Sequence, residues 1–187
     1  MSSRLAEIID YNKQFVENKE YETFNTTKYP EKKMVILTCM DTRLVELLPK
    51  SMSICNGDAK IIKNAGALVS HPFGSVMRSI LVAVYSLYAE EVFVIGHRDC
   101  GMTGMHATPI LEKAVEAGVA AEKISALKHA GINIDAFLRG FESVEQSVRE
   151  SVHTIKNHPL LPEHVLVHGL IIDPHSGELE LIIDGNN

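Results

Sequence analysis

The chain reads as an α/β protein with a mostly parallel central sheet, four core strands plus an antiparallel edge strand, flanked by helices. Two short apolar runs, Met34-Val35-Ile36-Leu37-Thr38 and Glu91-Val92-Phe93-Val94-Ile95-Gly96, have the continuous β-branched character of strands covered by helices on both faces. Between them, Phe73, Val76, Met77, Ile80, Leu81, Val84 and Tyr88 recur at helical spacing, as in the crossover helix of a right-handed strand–helix–strand unit. Third, a length of 187 residues without repeat, low-complexity tract or linker suits a single domain with its own core.

Taken in order, residues 3 to about 20 predict an amphipathic helix, with Leu5, Ile8, Ile9, Phe15 and Val16 near one face and Ser2 or Ser3 as its cap. A polar stretch from Tyr21 to Pro30 tethers it loosely, so residues 1–30 form an N-terminal helical arm on a single α/β domain of residues 31–187. The apolar stripe packs on its own domain or on a partner subunit; the pattern fits either. Lys33–Thr38 is the first strand, and Leu44–Leu48 a short helix stopped by Pro49. Asp58–Lys63 is a second strand, followed by a tight loop at Asn64-Ala65-Gly66-Ala67. The Phe73–Ala89 helix is apolar enough to be largely buried, and Glu91–Gly96 is the next strand. Helical material from about Pro109 to Lys128, a short segment near Ile134–Arg139 and a helix over Ser143–Asn157 lead to a strand at His164–Ile172. Gly177 then turns the chain into an edge strand, Glu178–Asp184.

A net charge of −6 and the absence of any basic run argue against a nucleic-acid surface. Charge follows Met1 at once in Ser2-Ser3-Arg4-Leu5-Ala6-Glu7, which predicts neither a signal peptide nor a membrane span. Three cysteines, few and odd in number, suit a reducing cytoplasm and point to metal or catalytic use.

Cys39 and His97 each follow an apolar run, with Cys100 three residues further on. All three are expected at the C-terminal ends of parallel strands, where open α/β sheets place their ligands. Two thiolates and an imidazole are zinc-type ligands, and catalytic zinc keeps three protein ligands with the fourth position open. Asp41 and Arg43 lie two residues apart and can pair beside the metal, whereas Cys55 sits in a turn-like segment. The plainer alternatives are that Cys39 and Cys100 are buried apolar thiols and that Asp41–Arg43 is a loop salt bridge. Asp99 is expected to cap the turn that follows it. Of the many histidines, His106 is nearest the site in sequence and is a candidate proton relay.

Cys39-Met40-Asp41-Thr42-Arg43 together with His97-x-x-Cys100-Gly101 resembles the zinc signature of the β-class carbonic anhydrases. Lys63-Asn64-Ala65-Gly66-Ala67 resembles the loop lining that family's cleft, and Val165–Asp184 its closing strand pair; the likeness covers roughly residues 30 to 185. Departures are Thr42 in place of Ser or Ala, Lys63 in place of Arg, Arg98 inside the His-x-x-Cys step, and no glutamine within Tyr29–Met34. The resemblance implies Zn2+ held by Cys39, His97 and Cys100, a catalytic Asp41–Arg43 pair, and Asn64, Ala65 and Gly66 at the substrate cleft. It implies reversible hydration of carbon dioxide to bicarbonate through zinc-bound hydroxide, and a second state in which the aspartate itself takes the metal. It also implies a homodimer or tetramer with an N-terminal helix embracing the partner. Two other functions fit the same residues. One is hydrolysis of carbonyl sulfide or carbon disulfide; the other is a non-catalytic zinc protein whose fourth position is closed by Asp41 or Cys55.

Overall fold

The computed structural model describes residues 3–187. Its sheet has five strands in the order β2-β1-β3-β4-β5, formed by β1 (Met34–Cys39), β2 (Ala59–Asn64), β3 (Glu91–His97), β4 (Leu166–Ile172) and β5 (Leu179–Ile183). The first four run parallel and β5 closes one edge antiparallel to β4, as the sequence predicts. The chain leaves β1 on one side to form β2 and returns across it to form β3 on the other. A topological switch point therefore opens between the C-terminal ends of β1 and β3.

Alternate residues of each strand face opposite layers. Val35, Leu37, Val92, Val94, Val167 and Ile171 pack with α3 (Ser75–Leu87) and α7 (Val144–Lys156), through Met77, Ile80, Val84, Val148, Val152 and Ile155. Ile36, Ile95 and Ile172 face α2 (Leu44–Ser51), through Leu44 and Leu48. The close seat of α7 depends on two strand glycines. A Cβ at Gly96 would lie 2.8 Å from Val144 Cγ1 and 2.9 Å from Val148 Cγ2, and one at Gly169 would lie 2.8 Å from Val148 Cγ1.

Several elements differ in extent or setting from expectation. Pro49 lies inside α2 rather than ending it: burial of Leu44 and Leu48 carries the helix past the hydrogen bond that proline lacks. The material after Pro109 divides into α4 (Ala107–Glu116) and α5 (Ala121–His129), parted at Gly118, whose φ is 99°. A short α6 (Ile134–Leu138) follows. Ser143 is the N-cap of α7, its side chain accepting from Gln146 N–H at 3.4 Å.

α3 is buried along only one face. Phe73 just before it, Val82 and Tyr85 on it, and Tyr88 at its C-cap remain exposed, so the tyrosines are not core residues. No described residue of α1 (Ser3–Glu17) is buried. That helix rests mainly on a 3-10 turn at Glu20–Phe24, with the Phe15 and Phe24 rings 6.4 Å apart. No described helix is long and apolar enough to cross a membrane.

Gly96→Val is expected to lower unfolding stability by about 1–3 kcal/mol, the usual cost of forcing methyl groups into a filled core. Chemical denaturation measures it, and an unchanged midpoint would refute the packing role given to this glycine.

Candidate metal centre

β1 ends at Cys39 and β3 at His97, both on the rim of the switch point. After His97, the Arg98 N–H donates to the Ile172 carbonyl at 3.0 Å, and Asp99 adopts a left-handed conformation with φ 54°. This turn folds Cys100 back toward the strand ends. One ligand-type atom from each of Cys39, His97 and Cys100 lies within 4.8 Å of the other two, and all three residues are buried. Among the described residues no other group of histidine, cysteine and carboxylate side chains converges in this way. Cys55 is exposed in a separate turn, where its N–H donates to Asp58 Oδ2 at 2.9 Å.

The donor chemistry of this group fits a metal ion. His97 Nδ1 lies 2.8 Å from the Arg98 carbonyl oxygen, which can only accept, so Nδ1 carries a proton and Nε2 is left to face the sulfurs. Nε2 is buried and has no hydrogen-bond partner among the described residues, a costly condition that a bound cation would relieve. Burial opposes a charge on this ring, but the Cys39 sulfur, the Arg98 carbonyl and the Asp41 charge outweigh it and raise its pKa.

The two thiols are driven apart. The Cys100 thiol beside it, reinforced by His97 and by the Gly66 N–H at 3.4 Å, outweighs burial and holds Cys39 down at about 4. Cys100 is pushed above the ordinary thiol range, first by that same contact with Cys39 and then by burial. Each thiol therefore opposes ionisation of the other, an opposition that a bound cation would relieve.

Arg43 donates to Asp41 three times: backbone N–H to Oδ1 at 2.8 Å, Nε to Oδ1 at 3.0 Å and Nη2 to Oδ2 at 2.8 Å. The guanidinium contact is the main reason that the Asp41 carboxyl is held at about 2. This depressed pKa stabilises the loop at neutral pH, and that contribution is lost only as pH falls from the ordinary 3.8 toward 2. Asp41 Oδ2 lies 3.7 Å from His97 Nε2, so the carboxylate borders the group. Asp99 does not cap the following turn. Its carboxylate accepts from Arg43 Nη1 at 3.0 Å and its carbonyl from Nη2 at 3.2 Å.

The loop after β2 supports the site from below. Asn64 folds inward, its Nδ2 donating to the Leu68 carbonyl at 2.7 Å and its Oδ1 accepting from Leu68 N–H at 3.0 Å. Gly66 has φ 85°, and a Cβ there would lie 2.9 Å from Phe141 Cε1, so its N–H reaches Cys39 where a larger residue would collide. Of Asn64, Ala65 and Gly66, only Ala65 lines the open cleft of about 1010 Å³ above the group. Its polar side carries Asp41, Arg43 and Asp99; Met102, Met105, Ile110, Phe137 and Leu138 supply an apolar wall. Those wall residues come from segments whose sequence shows only weak periodicity, which is why sequence reading missed them. His106 is exposed at the N-cap of α4 and does not line the cleft.

The profile of the carbonic anhydrase family matches residues 34–179. A Bacillus subtilis protein named "Putative carbonic anhydrase YvdA" is 59% identical over 181 residues, spanning 97% of this chain and 92% of that protein. Carbon disulfide hydrolase of Acidithiobacillus thiooxidans is 25% identical over 154 residues, 79% of this chain and 76% of its own. The crystal structure of β-carbonic anhydrase isoform I from Trichomonas vaginalis superposes with a TM-score of 0.88 at 31% identity, covering 99% of this chain and 100% of that one. With the parallel sheet and the buried cysteine–histidine–cysteine group already in place, these matches show that the chain belongs to the β-class carbonic anhydrase family.

Proposed function

We propose that this protein is a zinc-dependent carbonic anhydrase that interconverts carbon dioxide and bicarbonate. The observation that carries the reading is the convergence of Cys39, His97 and Cys100 within 4.8 Å at the floor of an open cleft. Family membership supports it, since the β-class enzymes are zinc enzymes. Cys39, His97 and Cys100 would hold the ion, which supplies the Lewis acidity that makes water nucleophilic near neutral pH.

The remaining work belongs to the chain. Asp41, held ionised by Arg43, accepts a hydrogen bond and orients the hydroxyl group from which it comes. Held at about 2, the carboxyl stays ionised at neutral pH, so Asp41 aims the nucleophile as a hydrogen-bond acceptor and the proton leaves to solvent without resting on it. The apolar wall of Met102, Met105 and Ile110 suits an uncharged substrate, while Arg43 favours the anionic product. The exposed apolar side chains of α1 (Ile8, Ile9, Val16) and of α3 (Val82, Tyr85) suit burial against a second copy, with residues 1–30 as the arm that reaches across.

The same wall favours a second reading, hydrolysis of carbonyl sulfide or carbon disulfide, which are linear, uncharged and more lipophilic than carbon dioxide. Stopped-flow hydration and sulfide release on one preparation separate the two. Turnover of carbonyl sulfide far above that of carbon dioxide would overturn the first reading.

His97→Ala is expected to lose the metal, with zinc content falling from about one per chain toward zero; elemental analysis after dialysis measures it, and full retention would remove His97 from the ligand set. Arg43→Ala is expected to keep zinc and lose about 100-fold in kcat/KM for hydration. A zinc-loaded Arg43→Ala with parental activity would contradict its role. Asp41→Asn removes the charge that aims the nucleophile and is expected to cost a similar factor, so parental kcat/KM in that variant would dismiss the orienting role.

A further inference from the structure

We propose that Asp99 is a positioning residue that keeps the metal open to small ligands by holding Arg43 on Asp41. The inference rests on the zinc reading above and goes beyond it by assigning the residue that sets which partner the Asp41 carboxylate takes.

The guanidinium of Arg43 stands between two carboxylates. One edge, Nε and Nη2, is engaged with Asp41, and Nη1 reaches Asp99 Oδ2 at 3.0 Å. Nη2 also donates to the Asp99 carbonyl at 3.2 Å. The Asp99 side chain is 79% exposed, so neither burial nor core packing explains its direction. Its backbone sits at φ 54°, a conformation that a non-glycine residue adopts at a cost and that Asp and Asn tolerate better than most. This turn brings Cys100 back to the group, and it also carries the Asp99 carboxylate across to Arg43.

Asp41 has two possible cationic partners, Arg43 and the metal. Its Oδ2 is 2.8 Å from Arg43 Nη2 and 3.7 Å from His97 Nε2, so a modest displacement separates one engagement from the other. Anything that fixes the guanidinium orientation strengthens its hold on the carboxylate. Asp99 fixes it at the adjoining Nη1–Nη2 edge, so that a turn of the guanidinium away from Asp41 would also break its contacts with Asp99. Without that anchor the guanidinium turns more freely and the carboxylate competes better for the ion.

The test uses the cobalt(II)-loaded protein with thiocyanate as probe, followed by visible absorption. Asp99→Gly removes the carboxylate and keeps a residue suited to φ 54°. Asp99→Asn removes the charge but retains an oxygen that accepts from Arg43 Nη1, and so controls for the local loss of negative charge. Asp99→Gly is expected to bind thiocyanate about fivefold more weakly than Asp99→Asn, the size of an exposed charge-assisted pair. Adding Asp41→Asn to Asp99→Gly is expected to restore the binding, because an amide is a poor rival for the metal. Equal thiocyanate affinity in Asp99→Gly and Asp99→Asn, with cobalt bound in both, would overturn the role of Asp99 alone. A parent chain that takes up no cobalt would overturn this proposal together with the zinc reading.

Discussion

The parallel register between β1 and β3 sets Met34 opposite Glu91 and Thr38 opposite Ile95, so Cys39 and His97 leave neighbouring strand ends, with His97 one residue further along. A slip of one residue in either strand would exchange its two faces, burying one of these side chains in the opposite layer. The register is held on both sides of the sheet, by α3 and α7 against Val35, Leu37, Val92 and Val94, and by α2 against Ile36 and Ile95. The core therefore fixes the separation of two polar groups at its edge. The metal group depends on the packing below it more than on any contact of its own.

Electrostatics then favours a cation at this rim. Two buried sulfurs and a buried imidazole nitrogen share a small volume, and ionisation of Cys39 opposes that of Cys100. The chain offers partial compensation through the Gly66 N–H on Cys39, while the orphaned Nε2 of His97 has none. Such a site is costly for a protein that leaves it empty and favourable for one that binds a divalent ion, since soft thiolates meet it with no further desolvation of their own.

Much of this architecture was legible because it is written in local patterns. The continuous apolar runs gave the parallel strands, and the spacing of Cys39, His97 and Cys100 at their ends predicted that these residues meet. The unread parts depend on contacts between segments distant in sequence. Asp99 looks like a turn residue in isolation, and only the fold reveals that Arg43, 56 residues away, is its partner. Asn64 sits in the cleft loop, yet its amide closes that loop internally. Pro49 signals a helix end by local rules, but the buried leucines of α2 override it. The apolar repeat of α3 predicts a largely buried helix, whereas one face is left uncovered within the single chain, a distinction that periodicity alone does not make.

The proposed chemistry places opposed demands on Asp41. It would have to lie close enough to Cys39, His97 and Cys100 to orient a ligand of the ion they would hold, yet not take that ion itself. Distance cannot satisfy both, because the carboxylate already reaches within 3.7 Å of His97 Nε2. The discrimination comes from the donors that Asp41 would have to abandon, three N–H groups of a single arginine. Two of them belong to a guanidinium whose remaining hydrogen bonds run to Asp99, on the loop that carries Cys100. Arg43 thus ties the Cys39 loop to the Cys100 loop, and a shift of either changes its grip on Asp41. On the proposed zinc reading, access of a small ligand to the ion would for this reason be a property of both loops together, and neither one would set it alone.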